Sequence, residues 1–418
     1  MIGIGGASAA VMLAMRGHEV TLLEDAPQLA EVGAGIQVSP NMLRLFSRIG
    51  LREEIEKRCV GLQKIVARRW QDGSILQTTV TSTDSKSSSA PKTVHRADLH
   101  NIIMDAAKAL PNVSLRLGCR VLSYDFDNAT ARLADGTEVS GDVLIAADGI
   151  KSLARKQMLE SLGEVDAAAE PTGDATYRIM IPRELMLDDP ELRELMESPT
   201  ATRWVGPNRH VMAYPIKNHK LFNVVLIHPD RGDKDEAWTS TGKREDMIKD
   251  YDGWDPVIRK MIDRAPSDEI LEWKLCMHKP LPTWVRGRSA LMGDACHPML
   301  PYVAQGAAQA VEDAACLSFI LSSVTSLDQI PLALRAYETS RKPRAEIVQA
   351  FGLANRDILH LHDGPAQVKR DEAYRQVKFG GPSPDKWVDE VTQRFLWDWD
   401  AEAAGMQTWL LASVRPSL

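Results

Sequence analysis

Short apolar runs that end in a carboxylate recur at three places along the chain. An unbroken apolar run of four to eight residues predicts a buried strand, and a strand of this kind is typical of a parallel sheet. Each run therefore predicts a strand with an acidic side chain at its carboxyl end. The runs are Glu19–Glu24 (EVTLLE), Asp142–Asp148 (DVLIAAD) and Arg288–Asp294 (RSALMGD), and the acidic residues are Glu24, Asp148 and Asp294.

Longer segments show the pattern of helices and begin after glycine- or proline-rich turns. Small and apolar residues over Ala7–Arg16 predict a helix close to the amino terminus. The small-residue cluster Gly306–Ala308 opens another helix, which continues through Ala310–Leu321. Towards the carboxyl terminus, Leu332–Leu361 predicts one long helix and Trp387–Leu411 predicts a final one.

Residues 166–284 differ in character, because strand-like runs, tryptophans and charged helical stretches replace the glycine-rich turns. Side chains alternate between the two faces of a strand. The run Ala175–Pro182 therefore places Arg178 and Met180 on one face, and three alternate residues of Ala201–Pro215 share another. We expect a separate mixed-sheet domain here. The three alternate residues are His210, Met212 and Tyr214.

Composition narrows the possible functions. A chain of 418 residues can form two or three subdomains around a large core. Its net charge of −7 argues against nucleic acid or an anionic membrane surface as a partner. The five cysteines include no C-x-x-C pair, which favours reduced thiols in the cytoplasm over disulfides or a metal site.

The stretch Gly293–Gln309 (GDACHPMLPYVAQGAAQ) carries the most informative chemistry. Gly293 allows a tight turn after a strand, and Asp294 offers a carboxylate there. Backbone N–H groups at the next helix start, at Gly306 and Ala307, present partial positive charge. A carboxylate suited to a ribityl hydroxyl, beside amides suited to an anionic ring edge, fits a flavin. The alternative is an ordinary Gly-Asp turn before a core helix.

The amino-terminal residues match the second half of a dinucleotide-binding fingerprint. Gly3 would let the backbone approach a pyrophosphate, and Gly6 would let a helix pack closely on a strand. Glu24 would accept hydrogen bonds from the hydroxyls of an adenosine ribose. The position of the first fingerprint glycine falls on Met1. Either the recorded start lies inside a longer gene, or this protein lacks the first strand.

These motifs resemble those of FAD-dependent aromatic hydroxylases, the single-component flavoprotein monooxygenases, and are closest to the salicylate hydroxylase-like branch. The resemblance covers about residues 1 to 350. It includes the Gly293-Asp294 turn, the pattern A-D-G-x-x-S-x-x-R around Asp148 and a GAGI segment around Gly35. It also includes R-x-D-L at Arg96 and H-x-x-x-Y-P at His210.

The resemblance implies cofactor contacts for three of these residues. In the family, the segment at Gly35 lines the cofactor, the arginine at Arg96 reaches the FAD, and the motif at Asp148 lies at the FAD pyrophosphate. For each residue an ordinary structural role is the alternative. Gly35 would then lie in a surface loop, Arg96 would cap a helix or form an ion pair, and Asp148 would end a core strand.

The fold class implied by the resemblance is α/β. A Rossmann-like FAD-binding domain would be assembled from residues 1–165 and 285–350. A mixed β-sheet substrate domain would be inserted between them at residues 166–284, and a C-terminal helical region would follow at residues 351–418.

The implied reaction consumes NADH or NADPH, which reduces FAD, and O2, which forms a flavin C4a-hydroperoxide. One oxygen then transfers to a phenolic or heteroaromatic small molecule. His210 with Tyr214 would deprotonate the phenol, because a phenolate is the better carbon nucleophile. Arg178 would clamp a substrate carboxylate or stabilise an oxyanion. The alternatives are a core histidine with a packed tyrosine, and a structural ion pair for Arg178.

Two further functions fit the same residues. One is a dearomatising flavin monooxygenase of secondary metabolism, in which Arg178 and Tyr214 would bind the phenolate. Another is an N-terminally truncated, flavin-free paralogue that acts only as a binding protein. Product regiochemistry separates the two enzymes, and a colourless purified protein would favour the binding protein. The partners expected are an aromatic substrate, O2 and NAD(P)H, with a homodimer left open.

Overall fold

The computed structural model describes residues 2–29, 33–81, 90–166, 169–232, 239–377 and 381–414, so Met1 lies outside the described residues. No helix among the described residues is both long and apolar enough to cross a membrane. The helices are α1 (Ile4–Ala14), α2 (Pro40–Arg48), α3 (Arg52–Glu56), α4 (Arg96–Ala109), α5 (Leu153–Ser161), α6 (Pro190–Glu197), α7 (Arg244–Asp250), α8 (Pro256–Asp263), α9 (Gly306–Leu321), α10 (Ile330–Leu359), α11 (Pro365–Gln376), α12 (Glu390–Trp397) and α13 (Ala401–Val414).

The strands fall into one large sheet and several small ones. Short 3-10 turns lie between some of them, including Gly293–Ala295 and Pro301–Val303. The strands are β1 (Val20–Leu23), β2 (Gly35–Val38), β3 (Val60–Gly61), β4 (Lys64–Arg69), β5 (Ile75–Val80), β6 (Lys92–His95), β7 (Val113–Arg116), β8 (Val121–Asp125), β9 (Thr130–Leu133), β10 (Glu138–Ser140), β11 (Leu144–Ala146), β12 (Glu170–Pro182), β13 (Thr200–Gly206), β14 (Arg209–Ile216), β15 (Leu221–Pro229), β16 (Thr239–Lys243), β17 (Glu269–Met277), β18 (Val285–Arg286) and β19 (Ser289–Leu291).

The large sheet has eight strands in the order β16-β17-β12-β15-β14-β13-β4-β5. Its neighbours are antiparallel except for β13 and β4, which run parallel. The mixed sheet predicted for residues 166–284 is therefore present. Strands β4 and β5, from residues 64–80, also belong to it, so the first part of the chain contributes to this sheet.

The glycine-rich part of the chain contains two parallel strand pairs. Strand β1 pairs with β7, and β11 pairs with β19. All three predicted carboxylate-ended strands are thus formed and lie in parallel pairs. Strand β1 is only partly buried, whereas Ser289–Leu291 is fully buried.

The core of this part forms around helix α9, which packs on α1 and α10. A Cβ atom on Gly5 would lie 3.0 Å from Cβ of Ala310, so this glycine lets α1 approach α9 closely. Helix α1 begins earlier than predicted, at Ile4, because the extended Gly3 serves as its N-cap. Helix α9 begins at Gly306, where the small-residue cluster predicted a helix start.

The C-terminal region corrects one prediction. The single helix predicted over Trp387–Leu411 is instead two helices, α12 and α13. Asp389 caps the first turn of α12, and the carboxylate of Asp400 accepts the backbone N–H of Glu402 at the start of α13. Each cap favours a new helix start over a continuous helix. Trp387 therefore lies in a turn before α12 rather than in a helix.

Candidate active site

One cavity of about 440 Å³ lies between the large sheet and the glycine-rich turns. Its walls include residues of β12, β14 and β15, the first turns of α1 and α9, and the turn after β19. The cavity brings together predicted site residues from distant parts of the chain. Those that line it are Gly3, Gly6, Gly35, Arg96, Asp148, Arg178, His210, Tyr214, Asp294, Gly306 and Ala307.

Glu24 is the predicted cofactor residue that does not line this cavity. It follows β1 and is 2% exposed. Its Oε1 accepts the backbone N–H of Ala26 at 2.8 Å, which holds the turn after the strand. A contact between Glu24 and a bound adenosine ribose therefore stays a prediction.

Two helix amino termini open into the cavity without side-chain caps. Gly3 is the N-cap residue of α1, and Gln305 is that of α9. Uncapped N–H groups in a first turn carry partial positive charge and favour an anionic ligand. A Cβ on Gly3 would have no atom within 4 Å, so a ligand has room beside it. This pair of termini suits the pyrophosphate and the anionic ring edge of a flavin.

The turn after β19 requires glycine, because Gly293 has a φ of 61°. Asp294 then faces the cavity. Protein surrounds its side chain, but the carboxylate is accessible from the cavity itself. This burial raises the pKa of the Asp294 carboxyl group, whereas His297 and Arg96 act in the opposite direction. No described residue forms a hydrogen bond or ion pair with the Asp294 carboxylate. It is therefore available to a hydroxyl group of a ligand.

Asp148 lines the cavity, but both of its carboxylate oxygens are used within the fold. The Ser152 hydroxyl donates to Oδ1 at 2.5 Å, and the backbone N–H of Ala154 donates to Oδ2 at 3.2 Å. These bonds hold the start of α5, and Gly149 turns beside the cavity with a φ of 81°. Asp148 thus fixes the loop that turns beside the cavity.

Gly35 lies where strand β2 meets the large sheet at the cavity. Its N–H donates to Oδ1 of Asn223 at 2.8 Å. A Cβ on Gly35 would lie 2.6 Å from Cγ of Asn223 and 2.7 Å from Cε2 of Tyr214, so the two walls meet without space for a side chain. Arg96, the first residue of α4, lines the same cavity.

Strand β14 presents alternate side chains to the cavity, as its sequence predicted. Burial raises the pKa of Tyr214 to about 12, and the charge of Arg178 acts in the opposite direction. Burial lowers the pKa of His210 well below its usual value, and His360 and Arg203 lower it further. At neutral pH this wall therefore holds a neutral phenol and a neutral imidazole that can accept a proton.

Arg178 lies on β12 with its side chain towards the same wall. Its guanidinium carbon lies 5.3 Å from the ring centroid of Trp273, and its Nε is buried without a hydrogen-bond partner. Burial lowers the pKa of Arg178, and Tyr214 raises it. No described residue forms an ion pair with Arg178. An unpaired enclosed cation of this kind is suited to an anionic group on a ligand.

Trp387 is a cavity residue that the sequence interpretation missed. Its Nε1 donates to Oε1 of Gln37 at 3.2 Å. The guanidinium carbon of Arg203 lies 4.6 Å from the Trp387 ring centroid, and Arg203 also pairs with Asp385 at 2.6 Å. The cap residue Asp389 was the available signal, because a helix that begins after it leaves Trp387 in a turn.

A buried ionic network supports the turn at Gly293. Asp313 accepts the backbone N–H of Gly293 at 2.9 Å and pairs with Arg341 at 2.8 Å. Arg341 also pairs with Glu312 at 2.6 Å, and Arg344 pairs with Glu312 at 2.8 Å. All four charged side chains are almost completely buried. The network therefore fixes the turn at Gly293 to helices α9 and α10.

Cys296, His297 and Asp313 also place possible metal-ligand atoms within 4.8 Å of one another. However, Asp313 already pairs with His297 at 2.6 Å as well as with Arg341. Burial raises the pKa of Cys296 well above its usual value, which disfavours the thiolate that a metal would need. The structural role of Asp313 explains this cluster, because Asp313 pairs with His297 and accepts the backbone N–H of Gly293 in the adjoining turn.

Comparisons with known proteins agree with this geometry. The family described as FAD binding domain matches residues 2–351. The FAD-dependent monooxygenase atnJ of Arthrinium sp is 42% identical over 97% of this chain and 94% of that protein. The 3-hydroxybenzoate 6-hydroxylase 1 of Aquipseudomonas alcaligenes is 33% identical over 93% of this chain and 94% of that protein.

Among solved structures, a salicylate hydroxylase substrate complex shares the fold, with a TM-score of 0.81 over 100% of this chain and 97% of that chain at 24% identity. The predicted fold class, cofactor and enzyme class are thereby confirmed. The chain belongs to the FAD-dependent aromatic hydroxylases, the single-component flavoprotein monooxygenases, which use NAD(P)H as electron donor.

Proposed function

We propose that this enzyme hydroxylates a phenolic or heteroaromatic small molecule that also carries a carboxylate. The observation that carries the proposal is that Arg178, enclosed in the same cavity as His210 and Tyr214, has no ion-pair partner among the described residues. A cation suits the carboxylate, and a neutral imidazole suits the phenol proton. The relative from Aquipseudomonas alcaligenes is a 3-hydroxybenzoate 6-hydroxylase, which supports the same substrate class.

The residues on the opposite wall fit FAD. The uncapped first turns at Gly3 and at Gly306-Ala307 suit the pyrophosphate and the flavin ring edge, and Asp294 offers a free carboxylate to a ribityl hydroxyl. When bound, FAD supplies the redox chemistry, because it accepts reducing equivalents from NAD(P)H and activates O2 for transfer to the ring.

His210 is proposed as the general base. Its pKa lies well below neutrality because of burial and nearby positive charge, so its imidazole is unprotonated at neutral pH. Removal of the phenol proton turns the ring into an electron-rich phenolate, which reacts more readily at carbon. Tyr214, with its raised pKa of about 12, stays protonated and donates a hydrogen bond to the phenolate oxygen.

Arg178 is proposed to hold the substrate carboxylate and thereby fix which ring carbon faces the flavin. Its position against Trp273 limits the directions from which an anion can approach. The apolar side chains of Met212, Val225 and Ile227 line the same wall and exclude water from the ring.

Dearomatising hydroxylation is the second candidate. The electrostatic interaction between Arg178 and Tyr214 supports it, because the two side chains could share one phenolate oxygen. In that arrangement Arg178 binds the reacting oxygen rather than a separate carboxylate. The product then keeps a saturated, hydroxylated ring carbon, so its NMR spectrum separates the two reactions.

We also propose that the enzyme works in the cytoplasm and forms a homodimer. All five cysteines are free, which suits a reducing compartment. Helix α13 exposes Leu410, Leu411 and Val414, an apolar surface that a second copy could cover. Light scattering on the purified chain should give twice the mass of the monomer, and the monomer mass would contradict the dimer.

The test uses the full chain purified with FAD and supplied with NADH or NADPH. We expect NAD(P)H oxidation to rise when 3-hydroxybenzoate or salicylate is added, and the product to carry one new ring hydroxyl group whose oxygen comes from O2. Benzoate, which lacks the phenol, is the matched control and should not be hydroxylated. Hydroxylation of benzoate at an equal rate would contradict the role of a phenol proton.

A further inference from the structure

Behind the cavity wall, two histidines and an aspartate form a line that leads away from the substrate position. Nδ1 of His210 lies 2.8 Å from Nε2 of His360. Nδ1 of His360 lies 3.9 Å from Oδ2 of Asp174. His210 lies on β14, His360 follows α10, and Asp174 lies on β12, so three distant segments of the chain meet here.

Other contacts fix the Asp174 carboxylate in place. Its Oδ2 accepts the hydroxyl of Tyr302 at 2.5 Å and Nε of Arg356 at 2.6 Å, and its Oδ1 accepts Nη2 of Arg356 at 2.8 Å. The ring of Tyr302 also packs edge-on against His210, with 5.0 Å between their centroids. The carboxylate therefore keeps its position beside His360.

This negative charge favours one arrangement of the histidine protons. A proton on Nδ1 of His360 faces Asp174 and is attracted to it, whereas a bare lone pair there would be repelled. Neutral His360 then has a bare Nε2, which accepts the Nδ1–H of His210. The Nε2 of His210 is consequently left without a proton. That is the tautomer a base in the cavity needs.

We propose that His360 and Asp174 form a proton relay behind His210, an inference that rests on the proposed function. Nε2 of His210 takes the proton of the substrate phenol, and the O–H electron pair stays on the phenolate oxygen. In the same event the Nδ1 proton of His210 passes to Nε2 of His360. His210 ends neutral, and the positive charge rests on His360 beside Asp174. Reverse transfer returns the proton to the product oxygen.

The relay moves positive charge away from a position that disfavours it. Burial, His360 and Arg203 all lower the pKa of His210, so an imidazolium there is poorly stabilised. Burial also lowers the pKa of His360, to about 4, but Asp174 acts in the opposite direction. Asp174 therefore makes His360 the better place for the cation. The cations that oppose a charge on His360 are Arg203, Arg209 and Arg356.

A purely structural role for the pair makes a different prediction. The contact between His210 and His360 would then only fasten β14 to the end of α10. Either histidine could donate the shared proton, and the charge of Asp174 would not determine which one does. The position of that proton therefore separates a relay from a packing contact.

Nitrogen NMR of the full chain labelled with ¹⁵N-histidine shows directly which ring nitrogen of each histidine carries the proton. At neutral pH we expect His210 and His360 both to carry the proton on Nδ1, with Nε2 bare. A His210→Gln variant assigns the His210 signal. A wild-type protein in which His210 carries its proton on Nε2 would overturn the relay, and this result does not depend on any variant that might unfold.

Two variants then test whether His360 and Asp174 determine the tautomer of His210. His360→Leu removes the acceptor, so the His210 proton should move from Nδ1 to Nε2, the ring nitrogen that does not contact His360. His362→Leu is the matched control, because His362 is exposed and close to His360 in sequence, and it should leave the His210 signal unchanged. Asp174→Asn removes the negative charge and one of the two oxygens that accept hydrogen bonds from Arg356, and it should give a mixture of both tautomers. An unchanged His210 tautomer in either folded variant would contradict the relay.

These measurements use no substrate. The relay and the proposed function can therefore be contradicted independently of each other. If the His210 signal behaves as expected but 3-hydroxybenzoate and salicylate are not hydroxylated, the proton arrangement stands and the substrate class is wrong. If hydroxylation occurs while His210 carries its proton on Nε2, the substrate class stands and the relay is wrong.

Discussion

The two walls of the cavity are built in different ways. The wall proposed to bind FAD, the cofactor wall, consists mainly of backbone, since Gly3 and Gly306 belong to uncapped helix starts and Gly293 turns the chain beside them. The wall proposed to bind substrate, the substrate wall, consists of side chains, including His210 and Tyr214, that project from one large sheet. One wall is therefore specified by local chain geometry, and the other by which side chains meet across distant strands.

This difference separates the effects of substitutions. Changes that disturb the cofactor turn should reduce folding stability and FAD affinity together, because the turn is held by a buried ionic network. Changes on the substrate wall should leave FAD affinity intact and alter turnover, substrate affinity or protonation.

The largest effect is expected for Arg341→Met. This substitution leaves Glu312 and Asp313 buried with fewer cationic partners, and removing one partner of a buried pair typically costs about 3–5 kcal/mol. We expect this loss in the free energy of unfolding measured with urea, together with weaker FAD binding. Arg335→Met, on the exposed side of the same helix, is the control. Equal stability of the two variants would show that the network does not support the turn.

A pH effect of similar size is expected at His360. Its pKa is about 4 in the folded protein, against roughly 6.5 in an unfolded chain. The unfolded state therefore binds the proton first as the pH falls. The stability that neutral His360 contributes is complete above about pH 6.5 and is lost as the pH falls towards 4, by roughly 2–3 kcal/mol at pH 4.5.

Urea unfolding at pH 7 and at pH 4.5 tests this effect. Carboxylates also titrate in this pH range and change the stability of every variant. The loss of stability on acidification is therefore compared between the variants and the wild type. His360→Leu should lose about 2–3 kcal/mol less stability on acidification than the wild type does. His362→Leu should behave as the wild type. If His360→Leu showed the full acid sensitivity of the wild type, a depressed pKa for His360 would be excluded.

Arg178→Met should weaken the binding of carboxylated substrates. A hydrogen bond to a charged group contributes about 1.5–3 kcal/mol, so KM for 3-hydroxybenzoate should rise about 10- to 100-fold. FAD affinity should not change, because Arg178 lies on the substrate wall. Arg193→Met, an exposed arginine of α6, serves as the control. A similar rise in KM for a phenol without a carboxylate would favour the dearomatising arrangement instead.

The smallest effect is expected for Trp387→Phe. The change removes the hydrogen bond to Gln37 and keeps an aromatic ring beside Arg203. A loss of about 1 kcal/mol corresponds to a rise in KM of roughly five-fold. Trp397→Phe, outside the cavity lining in the same region, is the control. Equal KM values for the two variants would mean that Trp387 does not contribute to substrate binding.

The backbone geometry of the proposed cofactor wall could be predicted from sequence because its motifs are local. Gly293-Asp294 after an apolar run specifies a turn with a positive φ, and the small residues from Gly306 onward specify where a helix starts. The role of Asp148 was less predictable. Its position at a strand end was correct, but the hydrogen bonds that occupy its carboxylate depend on how α5 packs beside it.

The substrate wall could be predicted only in part. Alternation along one strand placed His210 and Tyr214 on the same face. The contact with His360 could not be predicted, because it joins a strand to a helix end far away in the chain. Trp387 was missed since the apolar pattern suggested one continuous helix, whereas the cap at Asp389 starts a new one.

The most direct test of this account is to measure FAD affinity and turnover together for His210→Gln. We expect the dissociation constant of FAD to stay within about two-fold of wild type, because the cofactor wall is unchanged. We expect kcat with 3-hydroxybenzoate to fall about 100-fold or more at pH 7, as for the loss of a general base. Unchanged turnover would contradict the role of His210. Loss of FAD together with turnover would contradict the separation of the two walls.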